Sequence, residues 1–210
     1  MQKKIKNRII FKYNRGFTLV ETLVALSIFA VSITAMIVVV GRGVGATTYS
    51  KNKLAASFLS QEGIELVRYI RDTEVLTYPT LEAGWDNFNT LFVDGARYIV
   101  DPRITAVGAT SFANFITPCS AGMGVRLCDP MFFDPAPSLT GSIYTYDNSS
   151  GTLTDSGFAR VITVERIQLP YDKTGGYAGN KVTSTVSWVQ NGNPFSVSSS
   201  EILYDWDLGQ

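Results

Sequence analysis

The run from Phe17 to Val40 constrains this chain more than any other stretch. It holds 24 residues and a single charge, Glu21. As a helix it is about 36 Å long at about 1.5 Å per residue, enough to cross a hydrocarbon core of about 30 Å. Two features are foreign to a plain anchor. A carboxylate sits at the fifth position of the apolar run, and Arg15 and Gly16 stand directly before it. An ionised side chain in lipid is costly, less so near an edge than at the centre, so an anchor gains nothing by keeping one.

Charge is distributed unevenly around this run. Residues 1–16 carry Lys3, Lys4, Lys6, Arg8, Lys12 and Arg15 and no acid. Removing those six from the 18 basic groups leaves 12 against 18 acidic ones, so residues 17–210 carry a net charge of about −6. After the run, within the next 15 residues, come only Arg42, Lys51 and Lys53. The positive-inside rule therefore places the N-terminus in the cytoplasm and the rest outside. An ordinary signal peptide has a shorter apolar region, about 7 to 15 residues.

Gly16-Phe17-Thr18-Leu19-Val20-Glu21 and the apolar run behind it resemble the processing and assembly motif of type IV pilins and type II secretion pseudopilins. The resemblance implies residue roles. Gly16 ends a basic leader, residues 1–16, that a prepilin peptidase removes on the cytoplasmic side. Phe17 becomes the mature N-terminus and is N-methylated. Glu21 pairs with the N-terminal amine of a neighbouring subunit and sets axial register during assembly. The physics agrees, because the Phe17 amine is a cation in the same apolar layer, and pairing relieves both buried charges.

A helical pattern continues beyond the membrane. No proline occurs from Phe17 to Tyr78. Ala56, Leu59, Gly63, Leu66 or Val67, and Ile70 recur at spacings of three and four, opposite a polar side of Ser57, Gln61, Glu62, Glu65, Arg68 and Asp72. Glu65–Arg68 and Arg68–Asp72 have the spacing of helix ion pairs. The amphipathic continuation, residues 41–73, is expected to end near Asp72 or Thr73, with Gly63 on the stripe where a strand can approach. Gly41, Gly43 and Gly45 each weaken a helix by about 1 kcal/mol relative to alanine. They read either as loose helix at the membrane exit or as a region that melts on filament assembly, the latter preferred. Many type IV pilins carry a proline at the position of Val38. Its absence departs from an ordinary major pilin, and the glycines serve instead.

Residues 74–156 read as a variable, loop-rich region broken by prolines and glycines. Arg97–Ile104 is a candidate strand ending at the Asp101-Pro102 turn, and Ile143–Tyr146 another. The aromatics Trp85, Phe88, Phe92, Phe112, Phe115, Phe132 and Phe133 are read as loop packing, with an exposed contact surface as the alternative. Eight residues separate Cys119 from Cys128. Export makes a disulfide the expectation, with buried free thiols as the alternative. Asp129, Asp134, Asp147, Asp155 and Asp172 lack EF-hand spacing and read as turn residues rather than calcium ligands.

From Gly157 the pattern becomes β. Phe158–Leu169, Lys181–Val189 and Phe195–Trp206 are rich in β-branched and aromatic residues. Val182, Val186 and Trp188 alternate with Thr183, Thr185 and Ser187, giving one buried and one exposed face. Gln190-Asn191-Gly192-Asn193 is a hairpin turn, and residues 170–179 form a glycine-rich link. An antiparallel meander of three or four strands, residues 157–206, packed on the helix near Ile70, is the simplest product. The segments 58–72 and 182–206 resemble the minor-pilin and minor-pseudopilin group. The expected fold is α+β: a long N-terminal helix, transmembrane first and amphipathic second, packed on a C-terminal antiparallel sheet within an exported domain, residues 74–210.

The absence of histidine removes Ser-His-Asp and Cys-His sites, and no paired carboxylate or Ser-Lys motif replaces them. The expectation is a structural subunit without enzymatic activity, metal or cofactor, a minor pilin in preference to a pseudopilin. Its expected partners are the prepilin peptidase, other filament subunits, an inner-membrane assembly platform and membrane lipid. Its expected location is the bacterial inner membrane and then a surface filament. The alternatives are a membrane-anchored adhesin and a competence-type pseudopilin handling DNA. The acidic mature chain argues against strong nucleic-acid binding.

Overall fold

In the computed structural model the described residues are 16–105, 112–119, 128–134, 144–149, 151–167 and 179–205. The leader before Gly16, Asp172, most of the 170–179 link and Trp206 lie outside them. The chain divides into two compact units, Met1–Thr48 and Tyr49–Gln210.

Helix α1, Leu19–Thr77, begins in the first unit, where no described residue is buried. In the second unit it turns amphipathic. Ala56, Leu59, Gly63, Leu66, Val67 and Ile70 are buried, as the spacing predicts, and Ile64 joins them. The helix runs past the expected end at Asp72 or Thr73. The reason is packing, since Glu74 and Val75 are also buried. Its last turn closes with Tyr78 N–H donating to the Glu74 carbonyl at 3.3 Å, and Pro79 then stops it.

The described residues of the region 74–156 include one helix and several short strands. Helix α2, Leu81–Leu91, was not expected. Thr80 caps it by accepting from Ala83 N–H at 3.2 Å, satisfying one of the first-turn donors. The second unit continues with strands β1 (Arg97–Val100), β2 (Ile116–Pro118), β3 (Phe132–Phe133), β4 (Tyr144–Thr145), β5 (Thr154–Asp155), β6 (Phe158–Ile167), β7 (Gly179–Gln190) and β8 (Asn193–Tyr204). β1 ends at the Asp101-Pro102 turn as expected, and a short 3-10 turn follows.

The main sheet has five antiparallel strands in the order β2-β1-β6-β7-β8, in which β6-β7-β8 is the expected meander. β1 and β2 come from the middle region and extend the meander through Tyr98↔Ile162 and Ile99↔Thr117. The β7–β8 hairpin closes at Gln190↔Asn193 over a turn with Asn191 at φ 52° and Gly192 at φ 78°. Both central residues are left-handed, the conformation that Asn-Gly favours. A second, small sheet has the order β4-β3-β5.

The core lies between α1, α2 and the main sheet. It joins Ile64, Val67 and Ile70 to Trp85, Phe88 and Phe92 and to Val100, Ile162, Val182 and Leu203. Trp85, Phe88, Phe92 and Phe112 are buried, so most of the middle aromatics pack inward. Each such ring contributes about 1.5–3 kcal/mol by burial. Arg160 is the largest fully enclosed side chain, 1% exposed. It donates to the Leu59 carbonyl at 3.1 Å, to Glu62 at 2.8 Å and to the Val100 carbonyl at 3.1 Å, joining α1, β6 and β1. Ser184, also enclosed, faces Gly63, where the helix and β7 leave no room for a Cβ.

Candidate functional site at the N-terminal helix

Gly16, Phe17 and Thr18 precede α1 in irregular backbone. Thr18 starts the helix. Its hydroxyl accepts from Glu21 N–H at 3.2 Å, and its carbonyl accepts from Thr22 N–H at 3.2 Å. Thr18-Leu19-Val20-Glu21 is therefore the first half of a capping box, a signal present in the sequence but not read from it. Glu21 lies in the first helical turn, where the unpaired N–H groups favour a negative charge.

The side chains from Phe17 to Val40 are uncovered. Phe17 is 79% exposed, and an 18-residue window of mean hydropathy 2.8 buries nothing. Among the described residues this is the one helix long and apolar enough to cross a membrane. Its hydroxyls are satisfied within the helix. Thr22 donates to the Leu19 carbonyl at 2.9 Å, Ser27 to Val24 at 2.8 Å and Ser32 to Ile28 at 2.8 Å. Thr34 does the same toward Ala30 at 3.0 Å. Internal satisfaction is what an apolar solvent requires of a helix. Glu21 is different, because among the described residues no group hydrogen-bonds its carboxylate.

Gly41, Gly43 and Gly45 lie inside α1. A Cβ at any of them meets nothing within 4 Å among the described residues. Thr47 and Thr48 donate to the Gly43 and Val44 carbonyls, each at 3.0 Å.

Several polar groups of the second unit make contacts within the fold. Cys119 and Cys128 form a disulfide with Cα atoms 5.5 Å apart, beside buried Ile99 and Val161. Asp101 and Asp147 both bind Arg103, whose pKa is raised, chiefly by its hydrogen bonds to Asp101. The Asp147 carboxyl is held below its usual range, first by the backbone N–H of Ser149 and then by Arg103. Asp155 accepts from Gly157 N–H at 2.8 Å, a turn role. Tyr146 donates to the Arg160 carbonyl at 3.1 Å, and burial pushes its pKa to about 12 against the pull of the Arg160 charge. Arg68 binds Glu65, as its spacing predicts, but its second partner is Glu201 on β8 rather than Asp72. Asp72 is taken by Arg71. Arg68 has a raised pKa, Glu201 being the main cause. Among the described residues no three metal-ligating side chains gather.

Comparison with curated proteins and with solved structures yields no match. Residues 11–37 match the family described as "Prokaryotic N-terminal methylation motif", a match that ends before the sheet domain. The uncovered apolar helix with its early carboxylate thus carries the signature of type IV pilins and pseudopilins.

Proposed function

We propose that the chain is a filament subunit, a minor pilin or pseudopilin, with the minor-pilin reading preferred. The observation that carries it is the uncovered helix from Phe17 to Val40 with a carboxylate in its first turn that no described residue hydrogen-bonds. Lipid covers such a helix first, and neighbouring helices cover it later. In the membrane, residues 17–40 anchor the chain with its N-terminus toward the cytoplasm and its sheet domain outside. A prepilin peptidase cuts between Gly16 and Phe17, and the freed amine is methylated. On assembly Glu21 takes the amine of a neighbouring subunit, which removes two buried charges at once and fixes how far one subunit steps past the next. Gly41, Gly43 and Gly45, where an added Cβ would meet none of the described residues within 4 Å, supply a stretch that loosens during extraction.

Mass spectrometry of the protein from cells with a working prepilin peptidase tests the reading. The expected product starts at Phe17 and carries one added methyl group. Retention of residues 1–16 in such cells contradicts it. Glu21→Ala should leave membrane insertion intact and abolish incorporation into filaments. A passive adhesin anchor should tolerate the same change.

A further inference from the structure

Three contacts set the direction of the sheet along the second half of α1. Arg71 donates to the Tyr204 carbonyl at 3.3 Å, Ser60 to the Ser184 carbonyl at 2.8 Å, and the Tyr49 ring lies 6.2 Å from Trp188. Tyr204 pairs with Gly179 at the start of β7, so β7 runs opposite to α1. The β7–β8 turn therefore arrives beside Tyr49, the first residue of the second unit. The hairpin tip occupies the end of the sheet domain at which the chain enters. Tyr49 follows Val40 by nine residues. That distance is about 14 Å as helix and at most about 32 Å fully extended. The tether holds whatever angle the chain takes at the intervening glycines.

The tip has a distinct surface chemistry. A cleft of about 330 Å³ is lined by Tyr49, Gln190, Asn191, Asn193 and Phe195, none of them charged. Phe195 stacks on buried Trp188 at 5.7 Å and meets Tyr49 edge-on at 5.1 Å. Beside the cleft Val189 is 41% exposed, and Pro194 is exposed as well. Amphipathic rings, small apolar groups and amides together suit the headgroup level of a bilayer. Charge points the same way. Between Glu21 and Glu62 the charged residues are Arg42, Lys51 and Lys53, all cationic. Basic residues next to a membrane segment attract anionic headgroups.

We propose that this end of the sheet domain is a lipid-contacting foot. Tyr49, Val189, Pro194 and Phe195 settle into the interface of an anionic phospholipid bilayer, and the hairpin amides meet its headgroups, while the subunit waits in the membrane. The proposal rests on the reading that residues 17–40 anchor the chain.

The test uses the full chain, disulfide intact, in vesicles of phosphatidylethanolamine and phosphatidylglycerol. Asn191→Cys carries an environment-sensitive fluorophore, and exposed Asp86→Cys, on α2 at the other end of the domain, carries it as a control. Lipids brominated just below the headgroup should quench the first label several-fold more than the second. Exchanging phosphatidylglycerol for phosphatidylcholine should lower that ratio, and a ratio indifferent to the exchange overturns the anionic requirement. Vesicle flotation reports anchoring independently. Protein that floats but shows equal quenching at both labels overturns the foot and leaves the anchor standing. Protein that does not float overturns both. Self-quenching of the Asn191 label with rising protein density, without lipid quenching, seats a second copy at the tip and also overturns the proposal.

Discussion

Gly63 sits where two elements nearly touch. A Cβ there would come 2.3 Å from Ser184 Oγ and 3.0 Å from Arg160 Cδ, both on enclosed side chains. Gly63→Ala should therefore lower stability by about 1–3 kcal/mol, read by urea melting of the solubilised chain. Adding Ser184→Ala should recover part of that loss, since the nearest atom is gone. Tyr146 makes a pH prediction with a definite sign. Its folded pKa, about 12, lies above the usual value of 10.0, so the folded state keeps the proton longer. The associated stability is full below pH 10.0 and is lost as pH climbs toward 12. Tyr146→Phe should flatten that alkaline decline by an amount on the order of 2 kcal/mol, measured as the pH dependence of the urea midpoint.

At the scale of elements, α2 shows why one helix escaped the sequence reading. Trp85, Phe88 and Phe92 recur at three and four, and Thr80 stands in the cap position, so the helical signal was present. Gly84 and the neighbouring prolines pointed instead to a loop. The structure gives Gly84 another reason. A Cβ there would come 2.5 Å from Val75 Cα and 2.7 Å from the Glu74 carbonyl oxygen, so α2 crosses α1 at a point where only hydrogen fits. Gly84→Ala should push the helices apart and lower the thermal midpoint, even though alanine favours helix by about 1 kcal/mol. The C-terminal strands were legible because β-branched alternation and Asn-Gly are local signals. The joining of β1 to β6 was not, since pairing across more than sixty residues leaves no local trace. The same limit hid the Arg160 bonds to Leu59 and Val100. The N-terminal motif was legible because Gly16, Phe17 and Glu21 lie in one contiguous stretch, which the family match at residues 11–37 also spans.

For the molecule as a whole, the disulfide closes a short loop beside the small cluster of Ile99 and Val161. Reducing it should cost about 2–3 kcal/mol, mainly by freeing the unfolded chain, and calorimetry with and without reductant reads the shift. The arrangement of α1 against β7 and β8 has a mechanical consequence. Tension that enters the sheet domain at Tyr49 is carried along the axis of the part of α1 that lies in the second unit. The Tyr49 rings, the Ser60 and Arg160 bonds, and the Arg68 and Arg71 bonds are spread along that axis beside strands that run with or against it. Such bonds are loaded together in shear rather than peeled one at a time, and the close fit at Gly63 and Arg160 acts as a detent against sliding. The sheet domain is thereby built to stay on its helix when the helix is pulled.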